Sequence, residues 1–157
     1  MTAVVRLGPD FTRWDELLSL ILGAFAYMDG VIDPPSSAHR LTPASLAAKA
    51  HAELAYAAME GQTLLGCIFC RPEPESLYIG KLAVGTRFQG RGAGQLLLER
   101  AEKLARDLGL PALRLETRIE LTGNHAAFAR WGFVRTGEYA HPGFDRITAI
   151  EMRKSLV

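Results

Sequence analysis

Residues 77 to 109 read LYIGKLAVGTRFQGRGAGQLLLERAEKLARDLG, and the fold turns on this stretch. Leu77 to Val84 is short, apolar and rich in β-formers, whereas Gly94 to Leu108 places Leu97, Ala101, Leu104 and Leu108 at the spacing of one helical face. The spacing therefore predicts a strand leading into a long amphipathic helix. Between them lies Gln89-Gly90-Arg91-Gly92-Ala93-Gly94, whose small side chains let a ligand approach the backbone while successive N–H groups and the helix N-terminus point at it. Such a loop is an anion cradle suited to a pyrophosphate. The plainer reading is a tight turn before a surface helix. A turn needs one glycine or two, however, and this loop has glycine at 90, 92 and 94 with Arg87 and Arg91 on either side.

Spacing separates the families that use glycine-rich strand-to-helix turns for phosphates. A P-loop requires Gly-Lys-Ser/Thr, but Gln95 and Leu96 follow Gly94. The dinucleotide fingerprint G-x-G-x-x-G, begun at Gly90 and Gly92, requires glycine where Gln95 stands. What remains is Gln/Arg-x-x-Gly-x-Gly/Ala, met by Gln89, Gly92 and Gly94 just beyond a strand ending Leu82-Ala83-Val84. This pattern resembles the acetyl-CoA-binding motif of the GNAT acetyltransferases. Trp131-Gly132-Phe133 supplies a second point of resemblance, since a Gly-Phe pair commonly closes the short helix near the end of that fold.

The remaining chain is compatible with this. With 157 residues it fits one domain, 1–157, and can bury a real core. Its 18 Lys+Arg balance 17 Asp+Glu, so bulk charge gives no reason to expect nucleic acid or an anionic membrane as partner. No basic-then-apolar leader opens the chain and no apolar run approaches the ~20 residues that cross a bilayer, so a cytoplasmic protein is expected. Cys67 and Cys70 form a C-x-x-C, but they fall within a run that reads as a buried strand, Thr63 to Cys70. Residues three apart on a strand point to opposite faces, and His39, His51, His125 and His141 lack metal-ligand spacing, so no metal is expected.

In order, a strand is expected over 3–7, a helix over 10–28 capped by Asp10 or Thr12, a turn-rich loop at 30–37, and a second helix from Thr42-Pro43 to about His51. Strands at 54–59 and 63–70 flank a hairpin turn, the strand 77–84 follows a polar break, and Gly109 with Pro111 ends the long helix before a strand at 112–117. A crossover of that kind is right-handed and pairs its strands in parallel. A short helix at 122–131 and an antiparallel pair at 133–139 and 147–153 complete the chain. The resemblance covers nearly all of this. It implies an α/β (α+β) GNAT acyl-CoA N-acyltransferase fold: a mixed, mostly antiparallel sheet with a splayed parallel strand pair and flanking helices.

It also implies an activity, transfer of an acetyl group from acetyl-CoA to a primary amine of a small molecule or peptide by direct attack in a ternary complex. Two alternatives stay open: an acetyl-CoA sensor without turnover, and a protein N-terminal acetyltransferase. A homodimer is compatible with either. Acetyl-CoA would be held by Leu82, Ala83 and Val84 on the strand and by Arg87, Phe88, Gln89, Gly90, Arg91, Gly92, Ala93 and Gly94 in the loop. Asn124 and Phe128 would line the thiol end. A backbone N–H near Leu82 to Val84 would act as oxyanion donor. The family often carries a tyrosine four residues before the Gly-Phe pair to protonate the thiolate; this chain has Phe128, which cannot donate, and Leu121 where asparagine is common. Tyr78, Glu120, Tyr139 and His141, with Glu116 nearby, are the side chains left for acid–base work. Acceptor choice would lie in the loop 27–40 and the turn 139–144. Glu99/Lys103 and Glu102/Arg106 are four apart on the long helix and read as solvated pairs.

Overall fold

The computed structural model covers residues 1–157. Seven strands, β1 (Thr2–Arg6), β2 (Leu54–Glu60), β3 (Thr63–Pro72), β4 (Leu77–Val84), β5 (Ala112–Arg118), β6 (Val134–Tyr139) and β7 (Ala149–Ser155), form one sheet in the order β1-β2-β3-β4-β5-β7-β6. Every neighbouring pair is antiparallel except β4 and β5. The helices are α1 (Trp14–Phe25), α2 (Pro43–Ala52), α3 (Ala93–Asp107) and α4 (Thr122–Arg130).

Alternation along the strands splits the core in two. Ala55, Ala57, Cys67, Phe69 and Ala83 face Leu17, Ile21 and Leu46 of α1 and α2, on what we call the front. Tyr56, Ile68, Cys70, Leu77, Ile79, Leu113, Leu115, Ile150 and Met152 face α3 at the back. Cys67 and Cys70 thus lie in different cores, and burial pushes each thiol up to about 12, so neither is a nucleophile at neutral pH.

The helix ends repay attention. Thr42 and Ser45 make a reciprocal capping box on α2, at 3.1 and 2.9 Å, with Pro43 at the first helical position, as the sequence suggests. On α1 the expected caps are displaced: the N-cap is Arg13, which pairs with Glu16 at 2.7 Å, while Asp15 and Glu16 complement the helix dipole. On α3 the buried stripe is Leu97, Leu98, Ala101 and Ala105. Leu108 lies beyond the last turn and is exposed, because Gly109 (φ +73°) turns the chain out of the helix there. Lys103 pairs with Asp107 in place of Glu99, whereas Glu102 takes both Arg106 and Lys154. Strand β7 begins at Ala149, two residues after the expected start, since Thr148 is occupied in closing the β6–β7 turn onto the Tyr139 carbonyl.

The central strands meet most tightly at Gly66, which pairs with Val84. A Cβ built there would stand 2.5 Å from the Ala83 carbonyl oxygen and 3.3 Å from Val84 Cα. Backbone cannot yield as a side-chain tip can, so Gly66→Ala is expected to lose roughly 1–3 kcal/mol of stability. Urea denaturation followed by circular dichroism checks this; an unchanged midpoint would mean that β3 and β4 can move apart freely.

Candidate active site

Strands β4 and β5 pair only at Leu77↔Leu113 and Tyr78↔Arg114, then diverge. Beyond that point each presents a backbone edge with no strand opposite. Strand β4 is also bulged: Gly80 pairs with Phe69 and Ala83 with Cys67, so Lys81 and Leu82 share the space opposite Ile68. Lys81 has φ +47°, the one non-glycine residue in the left-handed region. At the back of the gap, Thr117 continues the inward series Leu113, Leu115, and its buried Oγ1 has no protein partner. A polar atom orphaned in an apolar row is a site that a polar ligand chain could satisfy.

The loop after β4 opens with a short 3₁₀ turn, Thr86–Phe88, and reaches α3 through Gly90 (φ +80°) and Gly92 (φ +84°). Gly92 is the N-cap of α3 and no side chain caps that end, so the first N–H groups of a fifteen-residue helix are free for an anion. The guanidiniums of Arg87 and Arg91 both lie over the Phe88 ring, at 5.6 and 5.7 Å from its centre. Arg91 also pairs with Glu60 at 3.2 Å, whereas Arg87 makes no ion pair. Gln89 turns back to donate to the Val84 carbonyl at 3.4 Å. Residues of this loop border a cleft of about 530 Å³ lined by Gly23, Ala24, Ala26, Tyr27, Thr86, Gln89 and Asn124. Asn124 Nδ2 donates to the Tyr27 hydroxyl at 2.9 Å and joins α4 to the end of α1 across the gap. The position of Phe128 is different. Its ring meets Trp131 and Phe133 edge-on at 5.8 and 5.7 Å and packs into the back core.

The front of β5 and β7 carries no helix and forms a charged floor. Tyr78 lies between the guanidiniums of Arg71 and Arg114, 4.6 and 4.7 Å from its ring centre, and donates to Glu116 at 3.4 Å. Burial, with Glu116 beside it, pushes the phenol up to about 12. Arg114 binds Glu73 with two hydrogen bonds, at 2.8 and 2.9 Å, and reaches Glu116 and Glu151 at 3.3 and 3.2 Å. Tyr139 is raised by burial and by Glu116, so it too is a phenol at neutral pH. His141, 5.3 Å from it ring to ring, has Nδ1 against Thr148 Oγ1 and Nε2 without a protein partner. Burial, then the charge of Arg118, lowers its affinity for a proton. Glu120 meets Arg146 at 3.7 Å through one carboxylate oxygen while the other is buried and unpartnered. Tyr78, Glu116, Tyr139 and His141 are therefore neighbours on the front of the sheet, with Glu120 close by, in what we call the basin, and the loop between α1 and α2 is fastened beside it. Arg118 donates to the carbonyls of Pro34 and Pro35, and Arg146 to that of Asp33. Arg118, Thr117 and Lys81 are not among the residues that the sequence motifs single out. The signal for the last two was present: a hydroxyl in an apolar alternation, and a charge in the middle of an apolar strand.

A strand pair parting over an uncapped, glycine-led helix is the arrangement that the sequence resemblance implies. The model of the Acetyltransferase (GNAT) family matches residues 14–133. The chain belongs to the GNAT acetyltransferase family. Among solved structures, PaiA N-acetyltransferase from Thermoplasma acidophilum, in complex with coenzyme A, superposes with a TM-score of 0.80 at 15% identity, covering 99% of each chain. A GNAT acetyltransferase from Elizabethkingia anophelis with acetyl-CoA bound gives 0.69 at 18% identity over 99% of this chain and 98% of that one. The ribosomal-protein-S18-alanine N-acetyltransferase from Escherichia coli gives 0.69 at 17% over 99% and 94%. At these identities the likeness is one of fold. No curated protein matches the sequence. As a GNAT enzyme the chain is an acyltransferase that uses acetyl-CoA, and no group of three or more His, Cys, Asp or Glu converges as a metal site would require. No helix is long and apolar enough to cross a membrane.

The charged floor of this GNAT basin has a measurable pH signature. Arg114 and Ser76 hold the Glu73 carboxyl down to about 2, from an ordinary 4.5. A depressed carboxyl adds stability that is complete above its unfolded value and is lost as pH falls from about 4.5 toward about 2. Glu73→Gln is expected to cost roughly 1–2 kcal/mol at pH 7, the scale of charge-assisted hydrogen bonds, with the gap to the parent narrowing across that acid window. Denaturation midpoints of both proteins between pH 7 and pH 2 measure it; a constant gap would assign the loss to packing.

Proposed function

We propose that this enzyme moves the acetyl group of acetyl-CoA to a primary amine of a small molecule or peptide, by direct attack within a ternary complex. The observation that carries the reading is the parting of β4 from β5, which leaves free backbone edges between an anion cradle behind and a basin of titratable groups in front. In this reading the pyrophosphate lies against the N–H groups from Gln89 to Gly94, with Arg87 free to reach a phosphate and Arg91 shared with Glu60. Leu82, Ala83 and Val84 hold the pantetheine on one side, with Thr117 and Asn124 on the other. Phe88 and Phe128 bound the channel as apolar walls.

Three tasks then fall to named groups. A backbone N–H of Leu82 to Val84, turned out of the ladder by the bulge, donates to the developing oxyanion and is in place before reaction. His141 takes the proton of the attacking ammonium. It suits the role because burial and Arg118 keep the imidazole neutral near pH 7, and because Thr148 holds Nδ1 and leaves Nε2 free. Glu120 orients the amine through its unpartnered oxygen. Tyr139, protonated at neutral pH, is the group able to return a proton to the thiolate in a chain with Phe128 at the usual position. Tyr78 is held between two arginines and positions Glu116.

A base must be unprotonated to act, so kcat/KM is expected to rise with pH through a value below the usual 6.5 of histidine and then level off. His141→Ala should remove that limb and cost on the order of 10²-fold. Thiol release from acetyl-CoA, followed across amines, polyamines, amino acids and peptides, measures both. No release above hydrolysis with any acceptor would leave an acetyl-CoA-binding protein without amine transfer, and an unchanged pH limb in His141→Ala would rule out His141 as the base.

The cradle has its own test. A Cβ at Gly92 meets no protein atom within 4 Å, so Gly92→Ala adds only left-handed backbone strain and a methyl in the loop. Gly109, also at positive φ with open space around it, provides the matched control at the other end of α3. Calorimetry should show acetyl-CoA binding weakened about tenfold or more by Gly92→Ala, a loss of roughly 1.4 kcal/mol, and untouched by Gly109→Ala. Equal affinities in the two would sink the assignment of the loop.

A further inference from the structure

Lys81 has a role that transfer to a generic amine does not use. Its side chain leaves the β4 bulge on the front face and donates to Ser37 Oγ at 2.7 Å. That is one neutral partner for a group with three donors, in a half-buried position. Burial lowers its proton affinity first, and Lys49, Arg40 and Arg118 lower it further. The carboxylate nearest in effect, Glu53, is already paired with Lys49 at 2.7 Å. Among the cations under the α1–α2 loop, Lys49 is thus matched by Glu53, whereas Lys81 makes no ion pair. A partly desolvated charge without a counter-ion is less favourable than one that a ligand completes. The backbone points the same way: glycine would accept φ +47° without strain, yet the chain sets a long cationic side chain there.

The location ties this cation to the proposed chemistry. Arg118 holds the carbonyls of Pro34 and Pro35 while Lys81 holds Ser37, so both head groups lie beneath four consecutive residues, a span of about 14 Å at most. Arg118 is in turn an electrostatic neighbour of His141. We propose that Lys81 binds an anionic group of the acceptor, so that the substrate is an amine that also carries a carboxylate or phosphate. The inference rests on the acetyl-transfer reading above and adds the substrate class: the anion is held at Lys81 while the amine reaches toward Glu120 and His141. Ser37 serves as the placeholder that the anion displaces or joins.

The test pairs acceptors that differ only in the anion: amino acids against the amines lacking their carboxylate, and O-phosphoethanolamine against ethanolamine. Thiol release should favour the anionic member of at least one pair, and the chemistry of that pair separates carboxylate from phosphate. Lys81→Met, which keeps the aliphatic stem, should raise KM for that anionic acceptor on the order of 10–100-fold and collapse its preference over its neutral partner, while Lys81→Arg restores much of it. A purely structural lysine would lower kcat for both members alike, and Ser37→Ala would then reproduce the effect by cutting the same tether. Either result, or a parent enzyme that prefers the neutral member of every pair, overturns the proposal. Calorimetry of the same compounds on the enzyme–coenzyme A complex keeps the two readings apart. Binding of the anionic members that depends on Lys81 in the absence of any thiol release would refute amine transfer and uphold the anion site. Turnover without charge discrimination would do the reverse, and no binding and no turnover by any anionic member would sink the site.

Discussion

The fold depends on two parallel strands that begin as partners and do not remain so. After Leu77↔Leu113 and Tyr78↔Arg114 the ladder between β4 and β5 ends, although both strands continue through the middle of the sheet. Backbone N–H and C=O groups inside a protein carry a free-energy cost when they lack partners. A sheet that opens at its centre therefore needs something that keeps the strands apart and something that can occupy the space. The bulge at Lys81 and Leu82 does the first, by twisting β4 away while β3 remains paired to it on the other side. Close approach at Gly66 lets β3 follow that twist without loss of contact. The outer strands supply rigidity: β5 keeps seven paired positions with β7, so the opening is confined to one seam.

With the seam fixed, the two faces take different work. The back is mostly apolar, packed by α3 and by the Phe128, Trp131 and Phe133 cluster, and the hydroxyl of Thr117 is its buried side-chain polar atom without a partner. The front beyond α1 and α2 is almost entirely charged, with Arg114 at the centre of three carboxylates. Arginine suits that place because its planar fork meets Glu73 with two bonds and still has donors for Glu116 and Glu151. Tyr78 between two guanidiniums and Arg118 under the proline loop extend the same network toward the seam, so the loop beside the basin is fastened by cations.

The central motif was legible because local and global signals agree there. The strand at Leu77 to Val84, the glycine turn, the long helix and the following strand each carry strong periodicity or punctuation, and the parallel pairing follows from crossover handedness. The two cysteines could be set aside from strand alternation alone. Less legible were features set by tertiary contact. Arg13 replaces Asp10 and Thr12 at the start of α1, and Leu108 leaves the helical face it matches in sequence, because chain exit and packing override a spacing rule. The bulge cannot be read from GKLAV, since one residue of slippage against β3 is decided by the partner strand. Arg118 reads as an ordinary strand-end charge until the loop from Asp33 to Ser37 is seen folded above it. The basin gathers residues from β4, β5, β6 and two loops, and nothing in their separate surroundings brings them together on the page.

Phe128 shows how the two faces constrain one another. A tyrosine there would carry its hydroxyl on a helix at the back, against the apolar core. Phenylalanine instead completes an edge-on aromatic contact with Trp131 and Phe133, which adds on the order of 1 kcal/mol beyond area burial and anchors α4 against the core. The helix so fixed keeps Asn124 on the Tyr27 hydroxyl and thereby joins the end of α1 to the far side of the opening. Groups able to move a proton lie instead on the front, where burial and Glu116 keep Tyr139 protonated and burial and Arg118 keep His141 neutral. These are the protonation states of a proton donor and a proton acceptor at neutral pH. An apolar back face and a front face that carries the titratable groups is thus an arrangement in which the proposed acetyl transfer is compatible with phenylalanine at position 128.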